Sequence, residues 1–147
     1  MLIRDFTPQD YPDYLEMASA LFQGSAAAHP LPEQHFRHTF EQITGGNPAL
    51  RGLILEVEGQ PAGYSQLSRT YNNEIDGDFL WIEELYIKEE HRGSGLATAF
   101  FDWLVAEYTG KVKMLRLEAS SSNTRAIELY KRLGFEEWPY IQMAKKL

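Results

Sequence analysis

Arg92-Gly93-Ser94-Gly95-Leu96-Ala97-Thr98 lies between two segments of different period. Before it, Phe79 to Ile87 is largely apolar and reads as a strand. After it, Leu96, Ala99, Phe100, Trp103, Leu104 and Glu107 follow the i, i+3, i+4, i+7, i+8 template of a helix, with only the last polar. Gly93 and Gly95 let the chain turn tightly and bring backbone N–H groups against a ligand. The unpaired amides and positive dipole of the helix start then favour phosphate oxygens, and Arg92 adds a fork of charged donors. The plain alternative is a strand-to-helix turn that uses glycine for geometry alone. Two other phosphate-binding patterns fail here. Gly93-x-Gly95-x-x-Thr98 lacks the third glycine of the dinucleotide fingerprint and does not follow an opening strand, and no P-loop Gly-Lys-Ser/Thr precedes the helix.

On the N-terminal side, Leu2 to Phe6 reads as a first strand. Thr7-Pro8-Gln9-Asp10 predicts a helix start, with a hydroxyl cap, a proline at the first helical position and an acid three residues after the cap. Pro12 can move that start by a turn. Leu15, Ala18, Leu21 and Phe22 then share one face. A second helix is expected from about Pro32 to Ile43, carrying Phe36, Phe40 and Ile43, and Thr44-Gly45-Gly46-Asn47-Pro48 ends it. Leu53 to Val57 and Ala62 to Thr70 form a hairpin around Glu58-Gly59-Gln60-Pro61. On the C-terminal side, Val112 to Leu117 is a strand, Asn123 to Leu133 a helix, and Gly134-Phe135 opens a final β segment to about Ala144. The order β-α-α-β-β-β-α-β-α-β describes a mixed α/β sheet of the α+β kind, in one domain over residues 1–147.

The 147 residues suffice for a proper core without staples. No cysteine is present, which excludes thiolate zinc sites and a cysteine nucleophile and suits a reducing cytoplasm. The opening Met1-Leu2-Ile3-Arg4-Asp5 carries no apolar run of signal-peptide length, and no segment approaches a membrane span, so no membrane partner is expected. A formal net charge of −7 repels phosphate backbones, so no nucleic-acid partner is expected either, whereas cationic partners such as amines are favoured. The sequence leaves a homodimer open.

A second motif follows about thirty residues after the turn: Asn123-Thr-Arg-Ala126-Ile-Glu-Leu-Tyr130-Lys-Arg-Leu-Gly134-Phe135. Asn123 and Tyr130 are about two helical turns apart and share a face. Separately, each reads as structure, an asparagine cap and a core tyrosine. Together, Arg92-x-x-Gly95-x-Ala97 and Asn-x-x-Ala-x-x-x-Tyr-x-x-x-Gly-Phe, preceded by Ile82-Glu83-Glu84-Leu85-Tyr86-Ile87, closely resemble the GNAT acetyltransferase superfamily. The match covers about Trp81 to Phe135. It implies a mostly antiparallel central sheet splayed at the cofactor site, with about four helices, and acetyl-CoA as co-substrate without a metal. The resemblance implies that backbone groups of Leu85, Tyr86 and Ile87 bind the pantetheine arm like an added strand. Amides of Arg92, Gly93, Ser94, Gly95, Leu96, Ala97 and Thr98 would hold the pyrophosphate. Asn123 and Ala126 would line the cofactor arm, and Tyr130 would lie near the sulfur as general acid.

The chemistry sets further demands. An alkylammonium of pKa near 10.4 costs about 4.6 kcal/mol to present neutral at pH 7, at roughly 1.36 kcal/mol per unit. Glu83 and Glu84 are the strand carboxylates that could act, through a water, with a raised pKa, or by holding the cation. Being consecutive, they are expected to point to opposite faces of the strand. A phenol such as Tyr130 stays protonated at pH 7 and can donate to a departing thiolate. The expected activity is acetyl transfer to a primary amine by direct attack, with a small-molecule amine or polyamine favoured. The alternatives are a protein lysine or N-terminal acetyltransferase, or an acyl-CoA sensor without turnover.

Other features carry less. His29, His35 and His38 lie in the N-terminal helical region; His35 and His38 are i, i+3 without an acidic ligand pattern, so no metal site is expected there, and His91 reads as a surface turn residue. Trp81, Phe79, Tyr64 and Tyr71 could line an acceptor pocket but are more ordinary as core. Glu74, Asp76 and Asp78 read as a solvated loop that could also steer a cation.

Overall fold

The computed structural model describes residues 1–24 and 30–147. The expectation about His29 lies outside them. The strands are β1 (Leu2–Asp5), β2 (Leu50–Val57), β3 (Gln60–Asn72), β4 (Gly77–Ile87) and β5 (Met114–Leu117). The helices are α1 (Tyr11–Gln23), α2 (Glu33–Thr44), α3 (Leu96–Tyr108) and α4 (Thr124–Arg132). The five strands form one sheet in the order β1-β2-β3-β4-β5. The first four run antiparallel, and β5 joins β4 in parallel after the α3 crossover. This is the mixed α+β architecture expected from the element order.

Two cores sandwich the sheet. On one face Leu53, Leu55, Leu67, Leu80 and Ile82 pack against Leu96, Phe100, Phe101 and Leu104 of α3. On the other, Ile54 and Tyr64 pack against Tyr14, Met17, Phe36 and Phe40 of α1 and α2. The alternation of Leu53, Ile54 and Leu55 between these cores is the period of two expected of a strand buried on both faces. Full burial of a side chain such as Leu104 contributes about 1.5–3 kcal/mol.

The first helix begins a turn later than Thr7. Pro8–Asp10 forms a short 3-10 turn, and Pro12 falls in the first turn of α1. The capping box forms nonetheless: Thr7 N–H and Oγ1 both donate to Asp10 Oδ2, at 2.6 and 2.8 Å. Arg4 adds two bonds of 2.8 Å to the same carboxylate and ties it to β1.

The expected final β segment does not form. Residues 133–147 contain no strand, and the sheet ends at β5. Pro139 removes a ladder donor from the middle of the segment and restrains Trp138 before it. Trp138 instead packs edge-on against Phe79 with centroids 6.3 Å apart, and Tyr140 Oη donates to Glu74 at 3.0 Å. A groove of about 1100 Å³ separates β5 from this segment. Ile141 and Met143, which an added strand would bury, stay 91% and 93% exposed.

Candidate active site

Strand β4 is paired along its whole length to β3, but β5 covers only Phe79 to Ile82 on its other edge. From Glu83 to Ile87 that edge has no strand beside it among the described residues. Leu85, Tyr86 and Ile87 therefore lie where the sheet splays open. Gly63 lets β3 follow β4 to this point, since a Cβ there would stand 2.5 Å from the Tyr86 carbonyl oxygen.

The turn after β4 has the geometry its glycines predict. Gly93 and Gly95 take left-handed φ values of 74° and 83°, and Gly95 is the N-cap of α3 with no side-chain capping bond. The first helical bond runs from Ala99 N–H to Gly95 O at 3.0 Å. The N–H groups of Gly93, Ser94, Gly95, Leu96, Ala97 and Thr98 thus have no hydrogen-bond partner among the described residues. A helix start with free amides suits a pyrophosphate, so this part of the chain fits the implied co-substrate. The Arg92 side chain also makes contacts within the chain. Its Nε donates to Ile87 O at 2.9 Å, and its guanidinium lies over the Tyr86 ring at 5.5 Å, fastening the turn to the strand end.

Asn123 caps α4, its Oδ1 accepting from Ala126 N–H at 3.3 Å. Tyr130, on the same helix, packs edge-on against Phe101 and Phe135 at centroid distances of 5.8 and 6.0 Å. It lines the groove beside β5 with Leu117 and Ile127. Burial raises its pKa, and its hydroxyl makes no hydrogen bond to the described residues.

The glutamates depart from the expected arrangement. Gln66 pairs with Glu84 and Leu67 with Ile82, so Glu83 is an extra residue in β4, a β-bulge. Ile82 and Leu85 both pack on the α3-facing core, which places Glu83 and Glu84 together on the opposite face. Tyr64 Oη donates to Glu84 Oε2 at 2.7 Å, and Ser68 Oγ donates to Glu83 Oε1. Strict alternation predicted opposite faces; the bulge overturns it. Burial raises the Glu84 carboxyl above its ordinary range, the Tyr64 bond opposes this, and the Glu83 charge adds to it. Glu83 is exposed.

The sequence reading missed Ser68 and Gln66, and it took Tyr64 mainly as core. Tyr64 is fully buried and also holds a carboxylate. The signal was present as polar Gln66 and Ser68, two apart, flanking buried Leu67 in a strand buried from Ala62 to Ser65. Trp81 and Phe79 stack with Arg116, whose guanidinium carbon lies 4.1 and 4.7 Å from their ring centroids. The acidic loop is engaged locally: Asp78 pairs with Arg69, Asp76 accepts from Tyr71, and Glu74 accepts from Tyr140. His35 and His38 lie exposed on α2.

Fold and site together define a mixed α+β protein with an unpaired amide cradle on a splayed strand and a carboxylate pair on that strand. The family model described as the acetyltransferase (GNAT) family matches residues 11–135, and the chain belongs to that family. An uncharacterized N-acetyltransferase of Methanocaldococcus jannaschii is 28% identical over 138 residues, covering 92% of this chain and 60% of its own length. The spermine/spermidine N(1)-acetyltransferase of Bacillus subtilis is 28% identical over 86 residues, covering 56% and 57%. The chain thus spans under two thirds of the length of these curated relatives. An aminoglycoside N-acetyltransferase solved in complex with CoA superposes with a TM-score of 0.80 at 19% identity, covering 99% of this chain and 93% of that one. No helix among the described residues is long and apolar enough to cross a membrane.

Proposed function

We propose that residues 1–147 form one N-acetyltransferase domain that transfers an acetyl group from acetyl-CoA to the primary amine of a small molecule, with a polyamine favoured. The observation that carries this reading is the run of unpaired amides from Gly93 to Thr98, next to the free edge of β4 at Glu83 to Ile87. The polyamine activity of the B. subtilis relative supports the acceptor class, as does the chain's net charge of −7. A cytoplasmic location suits a chain without cysteines, which needs no oxidising compartment to form disulfides.

The co-substrate supplies an acetyl group activated as a thioester. Amides from Gly93 to Thr98 would hold its pyrophosphate, and the backbone of Leu85 to Ile87 its pantetheine arm, with Asn123 and Ala126 beside it. Glu84, raised by burial, is suited to receive the proton of the acceptor ammonium, directly or through a water. The amine nitrogen then bonds to the acyl carbon as the carbon–sulfur bond breaks, and the nitrogen's remaining extra proton passes to solvent, from which the proton donor to sulfur is reprotonated. Tyr130 stays protonated and suits the role of proton donor to the leaving sulfur. No thiol nucleophile exists in the chain, which favours direct attack.

The test is release of free CoA from acetyl-CoA with spermidine, lysine, an aminoglycoside and a lysine-bearing peptide. Release with a small amine is expected. Saturable acetyl-CoA binding without release for every acceptor would instead make the chain a sensor, and release with the peptide alone a protein acetyltransferase.

A further inference from the structure

On the carboxylate face, β3 presents Tyr64, Gln66 and Ser68 at period two, opposite the bulged pair Glu83–Glu84 of β4. The outer two donate hydrogen bonds, Tyr64 to Glu84 and Ser68 to Glu83. Gln66, between them, is the Cα partner of Glu84, and its Oε1 is buried with no hydrogen-bond partner among the described residues. On the β2 side its neighbour is Gly52, whose open space the Phe6 ring fills, so no polar group reaches it from there. Neither Glu83 nor Glu84 has a Lys, Arg or His nitrogen within 4.0 Å among the described residues. The site thus holds acceptor oxygens whose own donors are already spent on one side, and it lacks a cation.

A buried carbonyl oxygen without a donor is unfavourable, and proteins rarely leave one so unless a ligand or water completes it. We propose that Gln66 Oε1 and the Glu84 carboxylate each accept one N–H of the acceptor amine, making Gln66 the residue that selects primary over secondary amines. The inference rests on the acyltransferase reading above. A neutral primary amine has two N–H bonds and one lone pair. Two oxygens that engage both hydrogens leave the lone pair directed away from them, free to attack. A secondary amine has one N–H, so either Gln66 or Glu84 goes unpaired against a methyl group, and the loss is specific. While the amine is still an ammonium, the carboxylates offset its charge and Gln66 Oε1 accepts one of its hydrogens. Tyr64 keeps the Glu84 carboxylate in place for this, its ring locked edge-on against Tyr14 at 5.4 Å. Gln66 is a neutral acceptor, so it adds orientation without adding a third charge.

The experiment compares the parent with Gln66→Met, which keeps the length of the side chain and removes the oxygen. The probes are 1,4-diaminobutane and Nα-acetyllysine, each against its N-methylated derivative, with CoA release and Tm as readouts. The parent is expected to prefer the primary amine by about 30-fold or more in kcat/KM, and Gln66→Met to narrow that to about threefold by losing turnover on the primary amine. Its Tm should hold or rise, because a buried unpaired acceptor is gone. Gln66→Glu retains an acceptor oxygen and should keep the preference. If Gln66→Met does not fold, Gln66→Ala replaces it, with the same expectation for selectivity. Unchanged selectivity in Gln66→Met, or a Tm loss of many degrees with selectivity intact, overturns the inference and makes Gln66 a structural, water-bonded residue. A parent that releases CoA with none of these primary amines overturns it together with the small-amine reading, whereas the Gln66 variants alone leave that reading standing.

Discussion

Removal of a single hydroxyl tests the catalytic reading most directly. In Tyr130→Phe the ring keeps its edge-on contacts with Phe101 and Phe135, at 5.8 and 6.0 Å. The hydroxyl it loses bonds to none of the described residues, so no buried partner is left unsatisfied. The expected effect on folding is therefore small, within about 0.5 kcal/mol, as for a substitution away from any network. The effect on turnover should be large. Loss of a positioned general acid lowers the rate about 10²- to 10⁴-fold, roughly 2.7–5.4 kcal/mol of transition-state stabilisation. Because burial holds the phenol protonated, parent and variant should bind acetyl-CoA alike across neutral pH. Steady-state CoA release with the best amine, calorimetric titration of acetyl-CoA and thermal melts together give the three numbers. A variant that turns over within threefold of the parent would refute the assignment of Tyr130 as acid. A variant that melts several degrees lower would show instead that the hydroxyl is structural.

Glu84→Gln is expected to abolish most turnover and yet to stabilise the fold near neutral pH. Burial raises the Glu84 carboxyl, so its contribution to stability is full at low pH and is lost as pH rises through the folded value; melts of parent and variant should converge in acid and separate above it, and parallel curves at every pH would contradict this. Asp10→Asn acts in the opposite sense. Burial alone would raise the Asp10 carboxyl, but the bonds from Arg4 and Thr7 outweigh it and hold it below the ordinary range. That stability is present above the unfolded value near 3.9 and is lost as pH falls through the folded one, so chemical denaturation at pH 7 should show a loss of about 1–3 kcal/mol that shrinks once pH falls below the unfolded value. The lower end applies because Arg4 is partly exposed and keeps its 2.6 Å bond to Glu56.

Local chemistry determined much of this protein from the sequence alone. The Gly93 and Gly95 positions need left-handed φ, the run from Leu96 carries a helical period, and Asn123 caps the helix that bears Tyr130. Each of these depends on neighbours within a few residues, so spacing sufficed to find them. Glu83 and Glu84 mark the limit. Their two-residue period holds only while the ladder is regular, and the bulge that turns both to one face is set by how β4 registers on β3. The same pairing brings Tyr64 to Glu84 and leaves Gln66 without a donor, across 20 and 18 residues of chain that no local pattern links. The last segment fails for a related reason. Its alternation suited a strand, but pairing needs a partner and a donor at each rung. Pro139 and the packing of Trp138 on Phe79 withhold both. Local sequence thus determined the helices, the five strands that form and the cradle, whereas tertiary pairing decided which carboxylate is held, by what, and facing where, and whether the last segment joins the sheet.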